Sequence, residues 1–233
     1  MALEPKINPA ARVHSLGDAA MTLEFGTTID LATNARVAAA HRAIHAAAIP
    51  GVVEFVPTFR SLTIHFDPAR IGFDALAGRI TKLDLDAPAA AEAPRIWTVP
   101  VVYDGPDLEA VAEASGLTPE EVAALHSGTD YRVYMLGFLP GFAYLGDLPE
   151  PLRLPRLAEP RVRVPPGSVA IADQLTAIYP VQSPGGWRLI GRTPFRTFDP
   201  AADPPIVLRP HDVVRFTPVD AGEFERLTSE DGR

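Results

Sequence analysis

Residues 160–194 read PRVRVPPGSVAIADQLTAIYPVQSPGGWRLIGRTP. Short apolar runs at Arg161–Val164, Ser168–Ala172 and Thr176–Tyr179 are separated by proline, glycine or polar turns. Runs this short, rich in Val and Ile, read as strands and not as helices. Working outward, Leu139 to Thr193 is rich in Gly and Pro throughout, and Ile96–Tyr103 and Tyr131–Phe138 add strands before it. Phe195–Phe198, Ile206–Leu208 and Val213–Phe216 add strands after it, and a terminal helix follows near Ala221–Leu227. Two short helices interrupt the set, Asp107–Ala114 and one beginning at Thr118-Pro119-Glu120-Glu121 and ending near His126. Thr118 as cap, Pro119 in the first helical position and Glu121 three residues after the cap form a strong helix start. Many short strands with frequent turns predict a closed or nearly closed β-barrel over residues 89–233.

The first 88 residues have a different rhythm. In Ala20–Gly26, Met21, Leu23 and Phe25 alternate with smaller or polar residues, which is strand period. A first strand precedes them across the Gly17-Asp18 turn. Residues 30–48 are an alanine-rich helix capped by Asp30, with Leu31, Val37 and Ile44 on its apolar face and Pro50-Gly51 beyond its end. Val52–Val56 and Ser61–Phe66 make a hairpin, and a second helix is expected from Asp67-Pro68 to about Leu83. The order β-β-α-β-β-α predicts a small two-layer α+β sandwich. Asp84–Pro94, DLDAPAAAEAP, reads as the linker. The fold class expected is therefore α+β, a sandwich followed by a barrel.

Composition excludes several functions. The chain has 233 residues, 29 acidic and 21 basic, for a net charge of −8. Nucleic acid and anionic lipid surfaces need a basic partner, so neither is expected here. There is no cysteine, which removes disulfides, thiolate metal sites and a cysteine nucleophile. Lysine occurs only at Lys6 and Lys82, neither after a GxxxxG run, so there is no P-loop. Nothing approaches the ~18 uncharged apolar residues of a membrane span, and the N-terminus lacks a signal-peptide pattern. A cytoplasmic protein is expected. Motifs GxSxG and GxGxxG are absent, as is a dense carboxylate cluster, and no metal site is predicted.

Three segments carry unusual chemistry. In Gly137–Gly146, Pro140 and Gly141 shape the backbone while Phe138, Phe142 and Tyr144 project from it. This is either a buried aromatic turn plugging the barrel or a ligand wall. In Arg161–Ser168, two arginines alternate along a strand ahead of a Pro166-Gly167-Ser168 turn. Arginine forks bind carboxylate or phosphate, though a solvated edge strand has the same pattern. In Tyr179–Thr193, Gln182, Ser183 and Arg192 supply donors, and Trp187 a stacking face, around Pro184, Gly185 and Gly186. Such a loop is costly to order and is either a binding loop or a tight hairpin over a packed tryptophan. Of the histidines, His41 and His45 have i, i+4 spacing without an HExxH pattern, which reads as an exposed helix face. His126 either interacts with its helix C-terminus or serves as an acid–base group.

These segments resemble the B-subunit family of 5-oxoprolinase, also called allophanate hydrolase subunit 1, which includes the kinase inhibitor KipI. The resemblance rests on Gly137–Gly146, Pro160–Ser168, Ile178-Tyr179-Pro180, Ser183–Trp187 and Ile190–Pro194, with Leu16–Ala19 and Val56–Leu62 in the first half. It implies that the barrel is cyclophilin-like. It implies partners, homologues of the family's C and A subunits, that together with this chain open 5-oxoproline to glutamate at the expense of ATP. In that scheme the B and C subunits phosphorylate the lactam and the A protein opens the ring, and magnesium accompanies ATP. The candidate catalytic residues are then His126, Arg163 and Arg192. The candidate substrate contacts are Phe138, Pro140, Gly141, Phe142, Tyr144, Pro166, Gly167, Ser168, Tyr179, Gln182, Ser183, Pro184, Gly185, Gly186 and Trp187. The alternatives are a KipI-type regulator of a histidine kinase and one component of an enzyme acting on allophanate or another urea-type amide. Two departures from the family pattern stand out. Asp147 replaces a second glycine after Gly146, and residues 172–177 carry fewer glycines.

Overall fold

Alternating apolar side chains build the core face of the first sheet. In strands β1 (Arg12–Ser15) and β2 (Ala20–Glu24), Val13, Met21 and Leu23 are buried, while His14 and Thr22 lie on the other face. Helix α1 (Leu31–Ala46), strands β3 (Val52–Pro57) and β4 (Ser61–Phe66), and helix α2 (Phe73–Ile80) complete the unit. The sheet is antiparallel in the order β1-β2-β4-β3. Leu62, Ile64 and Phe66 join Val37, Ala40, Ile44, Leu76 and Ile80 of the helices in one core, giving the two-layer sandwich. The computed structural model describes residues 11–86 and 93–231. Two compact units, Met1–Glu92 and Ala93–Arg233, divide the chain. The boundary expected between residues 88 and 89 lies outside the described residues.

Three details correct the sequence reading of this unit. Asp30 caps α1 as expected, its Oδ1 accepting the Thr33 N–H at 2.8 Å, but Leu31 is 45% exposed. At 3.6 residues per turn, Leu31 lies about 120° around the helix from Val37, off the apolar stripe. Helix α2 begins at Phe73 and not at Asp67, because Asp67 accepts the Ala69 N–H and shapes a turn that ends at Gly72. The chain after α2 is not a bare linker from residue 84, since Leu85 is buried in the core.

The second unit contains β5 (Ile96–Val101), α3 (Leu108–Ser115), α4 (Pro119–Ser127), β6 (Asp130–Leu136), β7 (Ala143–Gly146) and β8 (Arg161–Val164). These are followed by β9 (Ser168–Ala172), β10 (Leu175–Ile178), β11 (Ser183–Gly185), β12 (Arg188–Arg192), β13 (Val213–Pro218) and α5 (Ala221–Asp231). Seven strands form one sheet in the order β12-β9-β10-β7-β6-β13-β5, with β5 and β13 parallel. Its two edges meet at Val102 and Arg192, whose backbones exchange two N–H···O bonds of 2.9 Å. The sheet is thus nearly closed, which leaves its edges short. Val99, Val101, Val133, Leu145, Ile171, Ile190 and Phe216 fill its core. Strands β8 and β11 pair in a separate small sheet. The capping box of α4 is present, with Thr118 Oγ1 accepting the Glu121 N–H and Glu121 accepting the Thr118 N–H.

The expected strands at Phe195–Phe198 and Ile206–Leu208 are instead irregular, joined by one Phe198–Ile206 bridge. Pro194, Pro204 and Pro205 withhold the donors a ladder needs. Strand β12, hidden behind Gly185-Gly186, supplies the closing edge in their place.

Candidate binding cleft

The turn between β8 and β9 organises the site. Gly167 has φ +78, a backbone conformation open to glycine, and a β-carbon there would lie 2.5 Å from the Thr193 carbonyl oxygen. Its N–H donates to the Tyr179 carbonyl, and its own carbonyl accepts the Thr193 N–H, both at 2.8 Å. Three segments separated in sequence therefore meet at one residue. They frame a cleft of about 530 Å³ lined by Pro166, Gly167, Tyr179, Pro180, Gln182, Thr193, Arg196, Thr197, Phe198, Phe224 and Thr228, among others.

Phe142 is the centre of an aromatic cluster behind Tyr179. Its ring packs edge-on against Phe138 (5.4 Å between centroids), Tyr144 (4.9 Å), Tyr179 (5.2 Å) and Trp187 (5.7 Å). Burial raises the phenol pKa of both Tyr144 and Tyr179, so both stay protonated at neutral pH. Phe142, Tyr179 and Trp187 are buried, which favours the aromatic-plug reading for them, whereas Phe138 is 59% exposed at φ +67. Pro140 is exposed at the loop tip. Gly141 is pressed against the cleft wall, where a β-carbon would come within 2.6 Å of Phe198 Cβ and 2.9 Å of the Thr197 oxygen.

The structure brings together Pro166, Gly167, Tyr179 and Gln182 of the expected contacts. Ser168 is committed elsewhere, its hydroxyl donating to the Pro165 carbonyl at 2.8 Å. Ser183 sits in β11 with its hydroxyl buried and no hydrogen-bond partner among the described residues. Pro184 is exposed, Gly185 pairs with Arg161 across β8, and the Gly186 carbonyl accepts the Leu157 N–H at 2.7 Å.

The candidate catalytic residues separate. Arg163 is exposed on β8. Arg192 donates to Asp104 at 2.9 Å and lies 4.1 Å over the Phe224 ring of α5, so it braces a helix that lines the cleft. His126 belongs to the core and is corrected here. It is fully buried, stacked 4.7 Å from Phe216, with Nδ1 2.7 Å from the Tyr103 hydroxyl and Nε2 2.9 Å from Thr176 Oγ1. Thr176 donates to the Ala170 carbonyl at 3.0 Å. Thr176 must then accept from Nε2–H, and Nδ1 accepts from Tyr103. Burial lowers the His126 pKa to about 3. A neutral ring with both nitrogens engaged has no proton role at a solvent cleft.

Arg161, not singled out alone in the sequence, donates to buried Asp107 at 2.6 Å, and Asp107 also accepts the Leu189 N–H at 2.6 Å. Arg196, Thr197, Phe224 and Thr228 were likewise missed. Arg196 and Thr197 lie in a segment expected to be a strand, Phe224 in the expected terminal helix, and Thr228 just beyond its expected end at Leu227. In the first unit, a cleft of about 420 Å³ gathers Leu16 with Thr58–Ser61, the two motifs quoted from that half. His41 and His45 pack against Phe55 at 5.1 and 5.9 Å. Among the described residues no group of three His, Asp or Glu is placed to hold a metal ion, and no helix is long and apolar enough to cross a membrane.

Comparison with known proteins places this geometry. The carboxyltransferase domain family, subdomains C and D, matches residues 11–208. The 5-oxoprolinase B subunit of Escherichia coli O157:H7 is 43% identical over 217 residues, 91% of this chain and 98% of that protein. The chain belongs to the B-subunit family of 5-oxoprolinase. The Bacillus subtilis (strain 168) B subunit is 38% identical over 233 residues, covering 94% of this chain and 97% of that one. A solved structure, TTHA0988, superposes with a TM-score of 0.78 at 40% identity over 87% of this chain, which spans 40% of that longer chain.

The two segments where the resemblance leads one to expect more glycine each contain an aspartate in left-handed backbone. Asp147 and Asp173 both adopt positive φ, +70 and +53. Aspartate tolerates that region better than most residues. The Tyr134 hydroxyl also donates to Asp147 Oδ1 at 3.0 Å.

Proposed function

We propose that this chain is the B subunit of an ATP-dependent 5-oxoprolinase, inactive without homologues of the C and A subunits. The observation that carries the reading is 43% and 38% identity to two proteins named as 5-oxoprolinase B subunits, over nearly the full length of each. The span of only 40% of TTHA0988 supports partnership, since the same fold there is joined to further sequence.

The chemistry is consistent with the cleft. A lactam is a resonance-stabilised amide and a poor electrophile. Phosphorylating its oxygen makes a good leaving group, and that step needs cationic or N–H groups and a site from which water is excluded. The cleft of the barrel unit offers aromatic and proline walls, an arginine and hydroxyls. ATP and its magnesium enter the scheme with the assembled complex. This chain has no P-loop, and its described residues form no group of three His, Asp or Glu side chains placed to hold the metal. A cytoplasmic location, where ATP is available, goes with this reading.

The test is co-expression with the A and C partners and measurement of glutamate released from 5-oxoproline, with and without ATP and with this chain omitted. ATP-dependent glutamate that disappears without this chain is the expected result. An intact complex that releases none overturns the substrate and points to another amide. Failure to form any complex overturns the subunit reading in favour of a KipI-type regulator.

A further inference from the structure

We infer that the barrel cleft is a binding site for a small carboxylate, gripped by the Arg196 guanidinium and the Thr197 hydroxyl. Three observations converge. Arg196 is the one arginine among the described residues lining the cleft, and no hydrogen bond or ion pair to it is found among them. Thr197 is only 1% exposed, yet its Oγ1 has no hydrogen-bond partner among the described residues. A buried hydroxyl without a partner is unfavourable, and an acceptor oxygen entering from the cleft relieves it. Among the described residues the lining contains no Asp or Glu, so nothing there competes for the guanidinium.

The rest of the cleft limits what carries the carboxylate. Tyr179, Phe195, Phe198 and Phe224, with Pro166 and Pro180, present apolar surface. A compact ring or short aliphatic body fits those walls while its carboxylate reaches Arg196. An arginine fork matches the planar geometry of a carboxylate in a bidentate pair. The inference rests on the proposed function only for the identity of the acid, since 5-oxoproline is a small ring bearing one carboxylate.

The experiment titrates the full chain with 5-oxo-L-proline, with neutral 2-pyrrolidinone and with inorganic phosphate, following backbone resonances by NMR. Wild type, Arg196→Gln and Thr197→Val are compared. Arg196 is exposed and Thr197→Val preserves shape, so both variants should fold. The expected result is 5-oxoproline binding that weakens roughly tenfold or more in Arg196→Gln, the loss of a charge-assisted fork, and less in Thr197→Val. The lactam without a carboxylate should bind all three proteins equally weakly. Equal affinity of wild type and Arg196→Gln for 5-oxoproline, or no binding at millimolar concentration, overturns the site. Tighter binding of phosphate than of 5-oxoproline overturns the carboxylate assignment. The two readings fail separately. Carboxylate binding as described, with no glutamate from the assembled complex, removes the reaction and keeps the site. Glutamate release with an unchanged KM in Arg196→Gln keeps the reaction and removes the site.

Discussion

Gly167 and Thr193 touch backbone to backbone, with room for a hydrogen but not for a methyl group: a β-carbon on Gly167 would stand 2.5 Å from the Thr193 oxygen. The atom in the way is a carbonyl that cannot rotate aside, and φ is +78. Gly167→Ala should therefore lose roughly 2–4 kcal/mol, combining left-handed strain with displaced backbone. Urea denaturation measures it. Because the same contact joins two walls of the cleft, the variant should also bind cleft ligands more weakly. A loss below about 0.5 kcal/mol, the range of ordinary surface changes, would contradict the geometry.

Asp107 is a second junction. Its two oxygens hold Arg161 of β8 and the Leu189 N–H of β12, each at 2.6 Å. Asp107→Ala leaves a buried N–H and a guanidinium without their acceptor and should cost about 2–4 kcal/mol. Arg161 is partly exposed, so water replaces part of what Arg161→Gln removes, and that variant should cost about 1 kcal/mol. The order of the two denaturation midpoints is the check.

The sequence made the barrel legible through short apolar runs between prolines and glycines, and the sandwich through the period of Met21, Leu23 and Phe25. It also located the turn at Gly167 and the aromatic loop around Phe142. What it could not show was which edge closes the sheet. Val102 meets Arg192 through backbone bonds that leave no trace in residue type. It also hid Arg196 and Thr197. A lone Arg-Thr pair has no period or spacing, and only tertiary structure reveals that the threonine is buried with no partner among the described residues. His126 illustrates the opposite error, because a histidine near a glycine-rich loop looks chemical until its burial is known.

Arg163 and Arg192 should respond differently to truncation. Arg163 is exposed, so Arg163→Ala should change stability by less than about 0.5 kcal/mol. If Arg163 contacts the substrate in the assembled complex, the same variant should abolish glutamate release without dissociating the complex. Arg192→Ala loses its contacts to Asp104 and Phe224, so amide exchange in α5 should accelerate along with the fall in activity. Full activity in both variants would remove them from the reaction.

His126 should leave a signature in the acid stability of the protein. Its folded pKa is lowered to about 3 by burial, below the ordinary value of 6.5. As pH falls through 6.5, the unfolded chain takes up a proton that the folded chain refuses. Stability contributed by the neutral ring is therefore complete above pH 6.5 and is lost progressively toward pH 3, by about 1.4 kcal/mol per pH unit. Between pH 7 and pH 5 this amounts to about 2 kcal/mol. His126→Gln can still donate to Thr176 and accept from Tyr103, but it does not titrate. The variant should be less stable than wild type at pH 7, and the gap should narrow by about 2 kcal/mol at pH 5. Carboxylate titrations are common to both proteins and cancel in that difference. Parallel stability curves from pH 7 to pH 5 would mean that the imidazole reaches solvent, and would reopen an acid–base role for it.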